Sequence, residues 1–209
     1  AADIVNPTFT DRITVVNDAT INGQTVGRGG GNVLGNTVNG RFALINNTTG
    51  GNNVATGNDS LTNNTTGGDN TSTGWEAMRS NTIGGNNMAN GRQALRTNTS
   101  GSNNTATGSA SLFSNTTGTN NTANGRLALN NNTIGSGNTA TGQNAGSLIS
   151  DKLTAATILN DSTMLGFNTS PLADNQTNQV VIGHNSNGLG SNTSVLGNLN
   201  TIFARVWGR

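Results

Sequence analysis

A strict 17-residue period, repeated seven times between Gly30 and Leu148 without an insertion or a deletion, restricts this chain to one kind of fold. Copies start at Asn47, Asn64, Asn81, Asn98, Asn115 and Asn132, and an eroded copy in the same register starts at Gly30. The unit reads N-T-x-G-x-N-N-T-A-x-G-x-x-A-L-x-N. A fixed period in this range is the mark of a solenoid, in which each unit buries its inner side against its neighbours.

Column seven is Asn in every copy, Asn53, Asn70, Asn87, Asn104, Asn121 and Asn138 among them. Column eleven is Gly in every copy, Gly57, Gly74, Gly91, Gly108, Gly125 and Gly142 among them. Gly reaches φ > 0 without steric cost and Asn tolerates it, so both are expected at the corners of a coil, with the Asn amides bonding along a ladder. Column nine is small, column fourteen is only Ala or Ser, and column fifteen is Leu44, Leu61, Met78, Leu95, Leu112 and Leu129 before Gly146 breaks it. These three columns are expected to face inward.

A helix needs an apolar stripe at i, i+3, i+4 and i+7, and one large apolar residue per copy cannot supply it. Short strands can, two to a coil, separated by Gly/Asn corners and stacked about 4.8 Å apart. The expected fold is therefore all-β, a repetitive parallel β-roll or β-solenoid with 17-residue coils. With 3% aromatic residues, no Tyr and no Cys in 209 residues, a lone chain is short of material for a core. Disorder is the usual alternative, but charged residues are only 9% and the repeat is strict. The missing apolar surface is expected between chains: the Leu/Met column, with Ile182 and Leu196, would line the axis of an intertwined homotrimer. A formal charge of +1 without a basic run argues against nucleic acid as a partner. No apolar stretch reaches membrane-spanning length, so membrane insertion is not expected.

Taken in order, residues 1–29 read as an N-terminal strand and hairpin connector, with alternating Arg12 to Val16 and Ala19 to Ile21 and a turn signal at Asn22-Gly23. The glycines from Gly27 to Gly31 lack the Lys-Ser/Thr end of a phosphate loop and read as a flexible lead-in. Residues 30–148 are the seven β-roll repeats. Residues 149–173 read as an irregular excursion, 174–200 as coils with larger core residues, and 201–209 as a closing strand. Thr163-Met164-Leu165-Gly166, Val180-Val181-Ile182-Gly183 and Ser194-Val195-Leu196-Gly197 repeat the strand-and-glycine pattern at spacings of 17 and then 14 residues.

Within this last region, Val181-Ile182-Gly183-His184-Asn185-Ser186-Asn187-Gly188 through Ser194-Val195-Leu196-Gly197-Asn198 is similar to the head repeats of trimeric autotransporter adhesins. Asn98 to Leu112 and Ala19 to Gly29 resemble bacteriophage tail fibres, marine and cyanobacterial phage fibres included. The resemblance covers nearly the whole chain. It implies a left-handed parallel β-roll, three chains around one axis, and attachment to a cell surface. The function it implies is that of a structural and receptor-binding segment of a trimeric viral tail fibre, extracellular and part of the virion. Its partners would be other fibre or virion proteins and a bacterial surface glycan or outer-membrane protein. The head of a bacterial trimeric surface adhesin is the alternative.

Receptor contacts have to come from the variable columns. Column twelve carries Arg41, Trp75, Arg92 and Arg126, and column sixteen carries Arg79, Arg96 and Phe113. Trp and Arg dominate binding energies and Arg pairs with planar anions, so this set is the candidate receptor-binding surface, against the plainer reading of a solubilising rim. Asp59 and Glu76 share column thirteen in adjacent copies, which would bring their carboxyls to about the 5 Å of a retaining glycosidase. They sit on a convex face without a cleft, and no enzyme activity is expected. His184 is the only histidine and has no second ligand residue, so neither a metal nor a cofactor is expected. The Thr-Ser-Thr and Thr-Ala-Thr runs at Thr71, Thr73, Thr105, Thr107, Thr139 and Thr141 are similar to the threonine arrays of ice-binding solenoids, a minor alternative that Asn39, Asn90 and Asn124 interrupt.

Overall fold

The computed structural model describes residues 18–21, 23–149 and 151–198. In each repeat, columns eight to ten form one short strand, extended to column eleven in the first copy, in which two outward side chains, all but Met88 β-branched or polar, flank a small inward one. A hairpin of β1 (Ala19–Ile21) and β2 (Gln24–Gly27) precedes them. The repeats then contribute β3 (Thr37–Gly40), β4 (Val54–Thr56), β5 (Thr71–Thr73), β6 (Met88–Asn90), β7 (Thr105–Thr107), β8 (Thr122–Asn124) and β9 (Thr139–Thr141). The larger coils add β10 (Leu159–Asn160), β11 (Thr163–Leu165), β12 (Gln176–Thr177), β13 (Val180–Ile182) and β14 (Ser194–Leu196). All but β10 and β12 make one sheet, parallel from β3 onward, and the chain is a parallel β-solenoid. The hairpin sits antiparallel on its first rung through β2. Two expectations, the strand from Arg12 to Val16 and the closing strand 201–209, lie outside the described residues.

Column nine shows the register. Val38, Ala55, Ser72, Ala89, Ala106, Ala123 and Ala140 pair in succession. The next step, Ala140 to Met164, takes 24 residues, and the steps to Val181 and Val195 take 17 and 14. Two strands per coil were expected; the repeats have one. Elsewhere the backbone still bonds coil to coil, as Leu61 N–H to the Ala77 carbonyl at 3.0 Å and Thr65 N–H to the Thr82 carbonyl at 2.9 Å, but left-handed residues break it into turns. They recur in column six (Asn52, Asp69, Asn86), column thirteen (Asp59, Glu76, Gln93) and column fifteen (Leu61, Met78, Leu95). Only the later coils add a second ladder, between β10 and β12.

Ala110 occupies one of these positions at φ 55. An L-residue there is strained by about 1–2 kcal/mol, and glycine is not, although glycine also loosens the unfolded chain. Ala110→Gly should therefore stabilise the protein by roughly 0.5–1 kcal/mol, read as a rise of a few degrees in a thermal melt.

The core corrects the expected trimer axis. Leu44, Leu61, Met78, Leu95, Leu112 and Leu129 are each 0% exposed within a single chain, packed with the Ala and Ser of columns nine and fourteen. They fill the inside of each coil and cannot also line an axis between chains. A coil is so narrow that one Leu and two Ala close it, which is why a chain poor in aromatics still has a continuous core. Left-handed Leu costs about 1–2 kcal/mol, less than the roughly 2–5 kcal/mol lost when a buried Leu leaves a cavity. Where Gly146 interrupts the column, a Cβ would lie 2.9 Å from Leu129 and 3.5 Å from Leu159, so the buried Leu159 supplies the missing bulk from the next coil.

Asparagine forms the other half of the interior. The column-seven residues are buried and not left-handed, so the corner role expected of them belongs to column six, one residue earlier. From Asn36 to Asn121 each Oδ1 accepts the next Asn N–H, as Asn53 from Asn70 at 3.0 Å and Asn87 from Asn104 at 3.0 Å, and Asn138 accepts from Ser162 N–H. From Asn36 to Asn121 each Nδ2 reaches a Gly carbonyl in the following coil, as Asn70 to Gly84 at 2.9 Å, and Asn138 reaches the Leu159 carbonyl. A second buried ladder runs through column one, with Asn64, Asn81, Asn98 and Asn115 donating back to Asn47, Asn64, Asn81 and Asn98 at 2.8–2.9 Å. Glycine of column eleven has a further reason besides its φ: a Cβ on Gly91 would stand 2.6 Å from the Gly108 carbonyl oxygen one coil on.

The excursion is shorter than expected. Its loop is closed by Ile149 N–H to the Thr154 carbonyl and Ala156 N–H to the Ser147 carbonyl, and by Asp151, whose carboxylate accepts from Leu153 and Thr154. Lys152 pins it to the stack through the Asn168 carbonyl and the Ser170 hydroxyl, both at 2.6 Å. From Thr157, whose carbonyl accepts from Thr133 N–H, the chain is back in the coil, so much of 149–173 is solenoid.

Candidate functional site

With the invariant columns turned inward, side-chain chemistry is left to the outer ones. Column twelve follows the Gly corner directly and points outward at the edge of the sheet: Arg41, Trp75, Arg92 and Arg126 are all exposed. The rungs place Trp75 and Arg92 on adjacent coils, Arg41 two rungs before the Trp and Arg126 two rungs beyond Arg92. Three guanidinium groups lie over rings: Arg92 at 4.7 Å from Trp75, Arg41 at 4.5 Å from Phe42, and Arg96 at 5.5 Å from Phe113. Such contacts hold a cation against the surface at about 0.5–1 kcal/mol each in exposed positions.

Glu76 organises the middle of this ridge. It accepts from Arg96 Nε at 2.9 Å and Gln93 Nε2 at 2.8 Å, and pairs with Arg79 at 3.6 Å. Burial pushes its carboxyl up, but the hydrogen bonds from Gln93 and Arg96 and the charges of Arg96 and Arg79 outweigh it and leave the pKa below the ordinary value. An anchored carboxylate held ionised is a poor proton donor, and its neighbour in the column, Asp59, is bonded by Asn58. Both carboxylates thus fix neighbouring side chains along the ridge.

The structure brings together five of the seven candidate receptor contacts, Trp75, Arg79, Arg92, Arg96 and Phe113, and spaces Arg41 and Arg126 along the same edge. Glu76, Gln93 and Phe42 were missing from the candidate set. The clue to Gln93 is its place one period after Glu76. Nothing in the spacing pairs Glu76 with Arg96, 20 residues on, because that contact joins different columns of neighbouring coils.

Three further features lie outside the ridge. The glycine lead-in donates Arg28 N–H and Gly29 N–H to the Asp18 carboxylate and Gly30 N–H to the Leu44 carbonyl, so these three amides are occupied by the chain itself. His184 is exposed and stacks on Phe167 with ring centroids 5.2 Å apart and planes inclined by 14°. On the sheet face, Thr105, Thr122, Thr139 and Thr163 stand in one ladder, while the parallel ladder alternates Asn90, Thr107, Asn124 and Thr141. Beyond Thr141 this second ladder turns aliphatic: Leu165, Ile182 and Leu196 are register neighbours, with Leu165 44% and Leu196 49% exposed.

No protein-family model matches the chain, and no curated protein and no solved structure matches it.

Proposed function

We propose that this chain is a structural and receptor-binding segment of a trimeric surface fibre, in the first instance a viral tail fibre that attaches to a bacterial surface, extracellular as part of the virion. The observation that carries the reading is the division of labour among the columns. Every invariant column is spent inside the coil or on coil-to-coil contact, while the outer columns vary freely around an unbroken stack. That is the economy of a rod built to hold changeable surface residues at fixed spacing. A bacterial surface adhesin would use the same rod, and the adhesin-like stretch 181–198 favours it as the second reading. An ice-binding role is weaker, because Met88, Asn90 and Asn124 interrupt the threonine face.

We place the trimer contact on the outer face of the last coils, at Leu165, Ile182 and Leu196. An in-register ladder of exposed aliphatics is what side-by-side chains cover. Sedimentation equilibrium should give a trimer, and Leu165→Asn with Leu196→Asn should dissociate it while the circular dichroism of the coils stays unchanged. A wild-type monomer at micromolar concentration would remove the trimeric reading.

A further inference from the structure

The arginines of the ridge are of two kinds. Arg79 and Arg96 are engaged by Glu76, whereas the guanidinium groups of Arg41, Arg92 and Arg126 make no hydrogen bond or ion pair among the described residues. These three share one column, with Asn58, Trp75 and Ser109 between them. At about 4.8 Å per rung, Arg41 and Arg92 are separated by roughly 14 Å along the axis and Arg92 and Arg126 by roughly 10 Å. Within the repeats every arginine lies on this edge, five in all, and it holds two of the three carboxylates, Asp59 and Glu76.

We propose that this ridge binds a linear acidic polysaccharide laid along the solenoid axis, with neutral sugars between its carboxylates; the inference rests on the receptor-binding reading above. Each free guanidinium offers a planar fork that takes a carboxylate with two hydrogen bonds. The gaps between forks are too wide for one small anion to bridge and suit charges that recur every second or third sugar. The residues in the gaps fit sugars as well. Trp75, with Arg92 over its ring, presents its remaining exposed apolar surface to the C–H face of a pyranose, and Asn58, bonded to Asp59 through one amide hydrogen, and Ser109 offer an amide and a hydroxyl to its hydroxyl groups. A nucleic acid fits less well, since its charges are closely and evenly spaced and its binding favours successive aromatic platforms, of which this column has one.

The test is titration calorimetry of the intact chain with hyaluronan oligosaccharides, which alternate a uronate with a neutral sugar. A neutral dextran oligosaccharide and a single-stranded oligodeoxynucleotide of similar length serve as comparisons. Hyaluronan should bind in preference to both. Arg92→Gln and Arg126→Gln should each weaken it at least tenfold, with melting temperatures within a few degrees of wild type because both side chains are outside the coil. Arg28→Gln removes the same charge away from the ridge and should leave binding within twofold. Absence of hyaluronan binding, equal loss with Arg28→Gln, or tighter binding of the oligonucleotide would each overturn the inference. Selective binding of the neutral oligosaccharide would also overturn it, and would leave the receptor-binding reading in place.

Discussion

Deleting residues 81–97 should leave a folded solenoid one coil shorter, whereas deleting only Gly91 to Leu95 should break the array. The longer deletion joins Ser80 to Asn98, which restores the junction that Ser80 makes with Asn81, and β5 then stacks on β7 with every column matched. Stability in such an array is close to a sum of coil terms and nearest-neighbour terms, so losing one coil costs one term of each. The shorter deletion removes the Gly corner, Ala94 and the buried Leu95, and leaves a stretch that can neither close a coil nor pair with its neighbours. Its Asn87 and Asn98 amides would face buried partners that no longer line up, at about 1–3 kcal/mol for each group left unbonded. Thermal melts followed by circular dichroism should show one transition within a few degrees of wild type for the 17-residue deletion. The five-residue deletion should melt far lower or in two steps. Equal melting of the two would mean that the columns are not stacked.

The period made the coil legible, and with it the all-β class, the parallel stacking and the three inward columns. Register needed no structure, because a strict repeat lets only identical columns meet. What misled was scale. Aromatic content and apolar fraction measure whether a globule can fill its centre, but a solenoid has to fill only the inside of one coil at a time, and Leu95 with Ala89 and Ala94 does so. The apparent shortage of core material sent the Leu column to an axis between chains when it belongs within one.

Invariance alone also could not tell a corner from a ladder. Asn86 and Asn87 are adjacent and of the same type, yet Asn86 is left-handed and exposed while Asn87 is buried and bonded along the stack. Only Asn87's column is never Asp, whereas column six accepts Asp69; a buried amide must both donate and accept, and a carboxylate cannot donate. That contrast was readable. The ridge was readable as a set of columns, but its internal order was not, since the bond from Arg96 to Glu76 depends on how far each side chain leans along the rod.

Leu95→Asp should unfold the protein at every concentration, and this outcome separates a core within the chain from one between chains. Leu95 is fully enclosed by its own coils, so the Asp carboxylate would have no water and no cation to meet it. An uncompensated buried charge costs several kcal/mol, and the lost Leu contacts add about 2–5 kcal/mol. The two together match the whole stability of many single domains, roughly 5–15 kcal/mol. Leu95→Met is the matched control: Met78 already occupies the column one coil earlier, and a swap of similar volume should cost less than about 1.5 kcal/mol. Circular dichroism should show the coil signal lost in Leu95→Asp and kept in Leu95→Met, with sedimentation run alongside. If the Asp variant instead sedimented as a folded monomer, the column would face a neighbouring chain, and the closed single-chain core would be wrong.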